Sequence, residues 1–135
     1  MAFIRVSENP IRTREKVYNP DIVVVLDPTL LDIVDVAAGL KPGGTVIVNT
    51  AKTVKQLRAQ YGFKGRVAAV DATKIAMEEM KVPITNTTMI GALLKTAPLT
   101  TLSAMEKPLD HRFGRIAERN RKAMERAFAE TTIGE

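Results

Sequence analysis

Three short runs of the chain are apolar or β-branched throughout: Ile22–Leu26 (IVVVL), Thr45–Val48 (TVIV) and Val67–Val70 (VAAV). None shows the polar alternation of a strand with one wet face, so each reads as a strand covered by helices on both sides. Each run ends in a small polar residue, Asp27, Asn49 and Asp71, and these three end points are evenly spaced along the chain. A regular strand–helix repeat predicts the α/β class: a three-layer α/β/α domain with a mostly parallel sheet and right-handed crossovers.

Between the strands the polar residues act as start and stop signals. Asp27 before Pro28 is an N-cap with proline at the first helical position, which predicts a helix from there to Gly39. Lys41-Pro42-Gly43-Gly44 is the turn into the second strand, and Thr53 caps a helix to about Tyr61, closed by Gly62 and Gly65. Asp71 or Thr73 opens a helix over Lys74–Lys81 that Pro83 ends. The remainder reads as a helical C-terminal third with no further strong strand. Asn86 or Thr87 caps a helix to about Thr96, with Pro98 as breaker. Thr101 or Ser103 starts the next, which Pro108 should kink or restart, and the last runs from about Gly114 to Ala129. Residues 1–20 suggest a small edge hairpin around Glu8-Asn9-Pro10. No linker or composition shift divides residues 1–135, which read as a single domain.

Composition narrows the chemistry. The chain has no cysteine, so it ligates no iron–sulfur cluster and holds no disulfide or thiolate nucleophile. Its single histidine, His111, cannot build a histidine-based metal site. The metal expectation is therefore none. Two Tyr, four Phe and no Trp leave little to stack bases on, which argues against a single-strand nucleic-acid platform despite a net charge of +5. No stretch is long and apolar enough to span a bilayer and the first residues carry no apolar leader, so a cytoplasmic location is the expectation.

Open parallel sheets bind ligands outside the carboxyl ends of their strands. That edge carries Asp27, Thr29, Asn49, Thr50, Asp71, Thr73 and Lys74. Helix capping accounts for Asp27 and Asp71 in full and is the simpler reading there. Asn86-Thr87-Thr88 at a helix start is more suggestive. It offers side-chain donors and unpaired backbone amides to a phosphate or carbonyl, but it is equally a plain asparagine cap, and both readings stand. Along the last helix, Arg112, Arg115, Arg119, Lys122 and Arg126 form a basic stripe. Beside it runs an apolar stripe of Phe113, Ile116, Ala117, Ala123, Met124, Ala127 and Phe128. The apolar stripe is expected in the core. The basic stripe is first a solvated face, second a docking surface for an acidic partner, and last a nucleic-acid contact. No dinucleotide fingerprint, nucleophile–base pair or paired-carboxylate site occurs, so no catalytic residue is assigned.

Several motifs together resemble the gamma module of pyruvate:ferredoxin and related 2-oxoacid oxidoreductases. They are Asp27-Pro28-Thr29-Leu30-Leu31, Gly39-Leu40-Lys41-Pro42-Gly43-Gly44 with Val46-Ile47-Val48-Asn49-Thr50, and Val70-Asp71-Ala72-Thr73-Lys74-Ile75-Ala76. The clearest is Val82-Pro83-Ile84-Thr85-Asn86-Thr87-Thr88-Met89-Ile90-Gly91-Ala92. The tail, from Leu102-Ser103-Ala104-Met105-Glu106-Lys107 through Arg112-Phe113 to Ala117-Glu118-Arg119-Asn120, is similar too.

The resemblance implies a component of a complex that oxidatively decarboxylates a 2-oxoacid with coenzyme A to acyl-CoA, CO2 and reduced ferredoxin. Thiamine diphosphate and iron–sulfur clusters would sit on partner subunits of alpha, beta and delta type, with ferredoxin reached through the complex. It implies that Asn86 contacts coenzyme A, with Thr87, Asn49 and Thr50 as weaker carry-overs, and that the chain alone is inactive. The family module normally begins with a strand and a glycine-rich loop. Met1–Arg5 instead resembles an internal edge strand, so the chain is expected to enter the module partway. Pro98, where glycine is usual, and Pro108 are smaller departures. The competing reading is an assembly module that positions partner subunits and binds no ligand.

Overall fold

The computed structural model describes all 135 residues. Strands β1 (Ile22–Val25), β2 (Thr45–Asn49) and β3 (Arg66–Val70) lie side by side in chain order and parallel. Their predicted positions hold to within a residue. A fourth strand, β4 (Thr132–Gly134), pairs antiparallel with β3, Ala68 opposite Ile133. The sequence pattern gives no strand there, because three residues ending in glycine carry no periodicity. What holds β4 is tertiary: the Arg58 guanidinium donates to the Gly134 carbonyl at 3.0 Å from helix α1 (Val54–Tyr61).

Two cores form because successive side chains of a strand point to opposite faces. Ile47, Ala68 and Val70 face helices α2 (Ala72–Met80), α3 (Asn86–Thr96) and α5 (Ala117–Glu130), meeting Ile75, Met89, Ala123 and Ala127. Val25, Val46, Val48, Val67 and Ala69 face the other way, onto Leu31, Leu57 and Phe63. Helices therefore cover both faces of a mostly parallel sheet, the α/β arrangement expected. Each large side chain so buried stabilises the fold by roughly 1.5–3 kcal/mol.

Helices α3 and α5 cross at backbone contact. A Cβ on Gly91 would stand 1.9 Å from the Met124 carbonyl oxygen and 3.0 Å from the Phe128 nitrogen. Only glycine fits there, and Ala92, Ala123 and Ala127 keep the rest of the seam thin. A short helix α4 (Glu106–Phe113) packs outside this pair through Leu109, Ala117 and Met124.

Several expectations are corrected. The helix from Asp27 to Gly39 is only a 3-10 turn over Pro28–Asp32. β-Branched Ile33, Val34 and Val36 resist helix, and the Asp35 carboxylate accepts from the Ala37 amide at 3.2 Å, a local turn that competes with the helical bond. Residues 1–20 form no hairpin. Their limbs share no ladder and are joined by the Arg5 guanidinium, which donates to the carbonyls of Glu15 and Lys16. The last helix begins at Ala117, after a 3-10 turn over Gly114–Ile116, because Gly114 at φ +55° breaks the path from α4. The chain turns a corner there, with Arg112 just before it and Arg115 and Arg119 just after it.

Candidate functional site at the carboxyl edge of the sheet

Helix α3 is pinned in direction by its far end. Arg66, the first residue of β3, donates from Nη1 to the carbonyl of Thr96, the last residue of α3. Met89, in its first turn, lies in the core cluster of Val70, Ala72 and Ile75 at the other end of β3, so the helix runs antiparallel to that strand. Eleven helical residues span ~16 Å and five strand residues about the same, so the first turn of α3 falls level with the carboxyl ends of β2 and β3. The chain thus brings Asn86 and Thr87 to the edge that carries Asn49, Thr50 and Asp71.

Asn49 is the organising residue of that edge. It is buried at 3% exposure. Its Nδ2 donates to the Leu26 carbonyl and to Thr73 Oγ1, both at 2.9 Å. Its Oδ1 accepts from the amides of Ala72 at 2.9 Å and Thr73 at 3.2 Å. One side chain thereby ties the end of β1 to β2 and caps α2. With both donors and its oxygen engaged inside the chain, Asn49 shapes the site from below. Thr50 is tied down too: its amide donates to the Val70 carbonyl at 2.9 Å, and its Oγ1 accepts from the Lys52 amide at 3.1 Å.

The two aspartates act as caps. Asp27 accepts from the amide and hydroxyl of Thr29, at 3.0 and 2.7 Å, and the hydroxyl bond chiefly holds its carboxyl below the ordinary range. Asp71 accepts from the Lys74 amide at 3.1 Å and opens α2. Lys74 itself is exposed and enters no ion pair, leaving a free cation beside α2's first turn.

At α3 the side chains are arranged differently from a simple asparagine cap. The cap position is Thr85, which makes no side-chain cap bond. Asn86 is the first helical residue and is exposed, its Oδ1 accepting from the Thr87 amide at 2.8 Å. The amides of Asn86 and Thr88 have no acceptor within the chain. Thr87 is buried, and Thr88 is wholly buried with its Oγ1 unpartnered, a cost native structures rarely leave uncompensated. An exposed amide side chain, free backbone N–H groups and the positive end of an 11-residue helix suit a phosphate or carbonyl. The pattern gives no cue to Lys52. Its ammonium lies 5.5 Å from the Tyr61 ring centroid and donates to Gln60 Oε1, turned toward α1.

The basic stripe is not one surface. Arg126 pairs with Glu78 at 2.7 Å, Glu79 at 3.0 Å and Glu130 at 2.8 Å, locking α5 to α2. Bonding to Glu130 and then Glu78 raises the guanidinium's pKa further, and Arg126 correspondingly lowers that of Glu78. The apolar stripe is core at Ala117, Ala123, Met124 and Ala127, but Ile116 is 48% exposed.

This fold and sequence have known kin. Residues 1–130 match the pyruvate ferredoxin/flavodoxin oxidoreductase family, and the chain belongs to it. It is 47% identical to the pyruvate/ketoisovalerate oxidoreductases common subunit gamma of Thermococcus kodakarensis, over 99% of this chain and 74% of that protein. Identity is 39% to the pyruvate synthase subunit PorC of Thermotoga maritima, over 99% of this chain and 72% of that one. The crystal structure of the Thermotoga maritima pyruvate oxidoreductase subunit PORC superposes with a TM-score of 0.82, covering 88% of this chain and 67% of that chain. The likeness is thus to gamma chains, and the protein is a member of a family of oxidoreductase subunits. No helix is long and apolar enough to cross a membrane.

Proposed function

We propose that the chain is the gamma component of a 2-oxoacid:ferredoxin oxidoreductase complex and that the first turn of α3 holds coenzyme A there. The complex would convert a 2-oxoacid and coenzyme A to acyl-CoA and CO2, passing two electrons to ferredoxin. Thiamine diphosphate and iron–sulfur clusters belong in this reading to alpha, beta and delta-type partners. Coenzyme A supplies the thiol that takes up the acyl group. The observation that carries the reading is the exposed Asn86 with its unbonded amide at the start of α3, in a chain that matches a gamma relative over 99% of this chain and 74% of that protein.

The residues present fit a polyanionic ligand. The amide and side chain of the exposed Asn86 supply donors, α3 supplies the positive end of its dipole, and Lys74 adds a free cation. Thr87 is buried and its amide holds the Asn86 side-chain oxygen, while Thr50 and Asn49 set the shape of the neighbouring strand end. The residues of this chain bind and orient, and none of them moves a proton.

Asn86→Asp tests the assignment in the assembled complex. It retains an oxygen to accept from the Thr87 amide and adds a charge that helix starts favour, so the fold keeps its stability. The new carboxylate repels phosphate, and the apparent Michaelis constant for coenzyme A rises about tenfold, or ~1.4 kcal/mol. Coenzyme-A-independent decarboxylation is unchanged. Should Asn86→Asp and Lys74→Glu both leave the coenzyme A dependence at the parent value, the chain is an assembly module without a ligand. The internal bonding of Asn49 and Thr50 already favours that second reading at β2.

A further inference from the structure

We infer that the α4–α5 corner, built from Arg112, Arg115, Ile116 and Arg119, is a docking surface for an acidic protein face on another subunit. This rests on the proposed role in a multi-subunit complex. Arg112, Arg115 and Arg119 are all exposed and none has a carboxylate partner. Nearby, Glu118 serves Arg121 at 3.8 Å and Lys122 at 3.7 Å, and Asp110 pairs with no residue. Five cations thus fall within the eleven residues 112–122 against a single carboxylate, Glu118, which is already engaged.

Local energetics disfavour this placement. Arg115 and Arg119 stand four apart at the positive end of α5, where like charges repel each other and cations oppose the helix dipole. The free chain gains nothing from it, whereas Arg126 on the same helix is fully employed between α2 and α5. An isoleucine 48% exposed lies among these arginines. An apolar anchor with an arginine rim is the composition of a protein interface centre, and its complement is a carboxylate-bearing face with an apolar hollow. The corner offers nothing to stack a base on beyond Phe113, already under Arg112 at 5.7 Å, which favours protein over nucleic acid.

The test uses the complex isolated from its host through a tag on this chain, and the affinity of this chain for the remaining subunits at low and high salt. Arg115→Glu with Arg119→Glu should weaken assembly about tenfold or more at low salt and flatten its salt dependence. Ile116→Ser should weaken it severalfold with the salt dependence kept. Lys55→Glu with Lys64→Glu, an equal charge change at exposed residues elsewhere, should shift it less than twofold. The melting temperature of each variant chain shows that the fold survives, and Ile116→Ser, which reverses no charge, stands in should the double variant not fold. If the corner variants behave like the control pair, the corner is a solvated face and the inference falls. It falls equally if the same variants lose self-association or duplex DNA binding while subunit assembly is untouched. A parent chain that co-isolates with no oxidoreductase subunit overturns the proposed function as well, and that outcome is distinguishable from the others.

Discussion

The sheet with its α3–α5 pair and the amino-terminal arm spend their apolar residues in opposite ways. Around β2, β3 and the helix pair, Val46, Ile47, Val48, Met89, Ala92 and Met124 are at 4% exposure or less. In residues 1–18, Phe3, Ile4, Val6, Ile11 and Tyr18 are exposed, and so are Val24 on β1 and Leu26 just after it. Val24 registers with Ile47 and so lies on the face that α3 covers further along, yet it stands outside the core cluster formed there. One half buries its large apolar side chains, while the other leaves several of them exposed. Stability and association should therefore map to different residues.

The largest effect belongs to the half that buries its apolar side chains. Gly91→Ala sets a methyl against the Met124 carbonyl, which is backbone and cannot yield without parting α3 from α5. We expect a loss of about 3 kcal/mol in urea unfolding even after alanine's better helix propensity. A neutral result would mean the two helices do not touch as described. Asn49→Ala comes next. It strands the Leu26 carbonyl and the Ala72 amide, and about 2–3 kcal/mol should be lost, with hydrogen exchange quickening at β1's end and α2's start together. The smallest effect is expected in the arm. Phe3→Ser with Ile4→Ser should move the urea midpoint by less than about 0.5 kcal/mol equivalent while reducing self-association measured by sedimentation. A large stability loss there would erase the contrast between the two halves.

The same contrast governs what the sequence revealed. The strands were legible because β2 and β3 are buried on both faces and leave an unbroken apolar run. The caps at Asp27, Thr53 and Asp71 were legible because capping is local chemistry, and all three side chains accept the helix-start amides. After Asp27 the helix failed because β-branched residues and the Asp35 turn outweighed a good start signal. Strand β4 was invisible because its partners, Ala68 and the Arg58 side chain, are remote in sequence. At the site, side-chain type drew attention to Asn49, Thr50, Asn86 and Thr87 alike. Only the bond inventory separates Asn49, fully engaged within the chain, from Asn86, exposed at the head of α3. The polarity of α3 that brings Asn86 to the edge shows in Arg66 meeting Thr96 and Met89 joining Val70, contacts no periodicity records.

Hydrogen exchange on the assembled complex, with and without coenzyme A, tests the central claim most directly, since the amides at the head of α3 report on a ligand without any substitution. The account predicts slowing concentrated at residues 86–89, with a smaller effect at 50–53 and none in the arm. Protection that leaves residues 86–89 at their ligand-free rates, while coenzyme A is demonstrably bound to the complex, would contradict it.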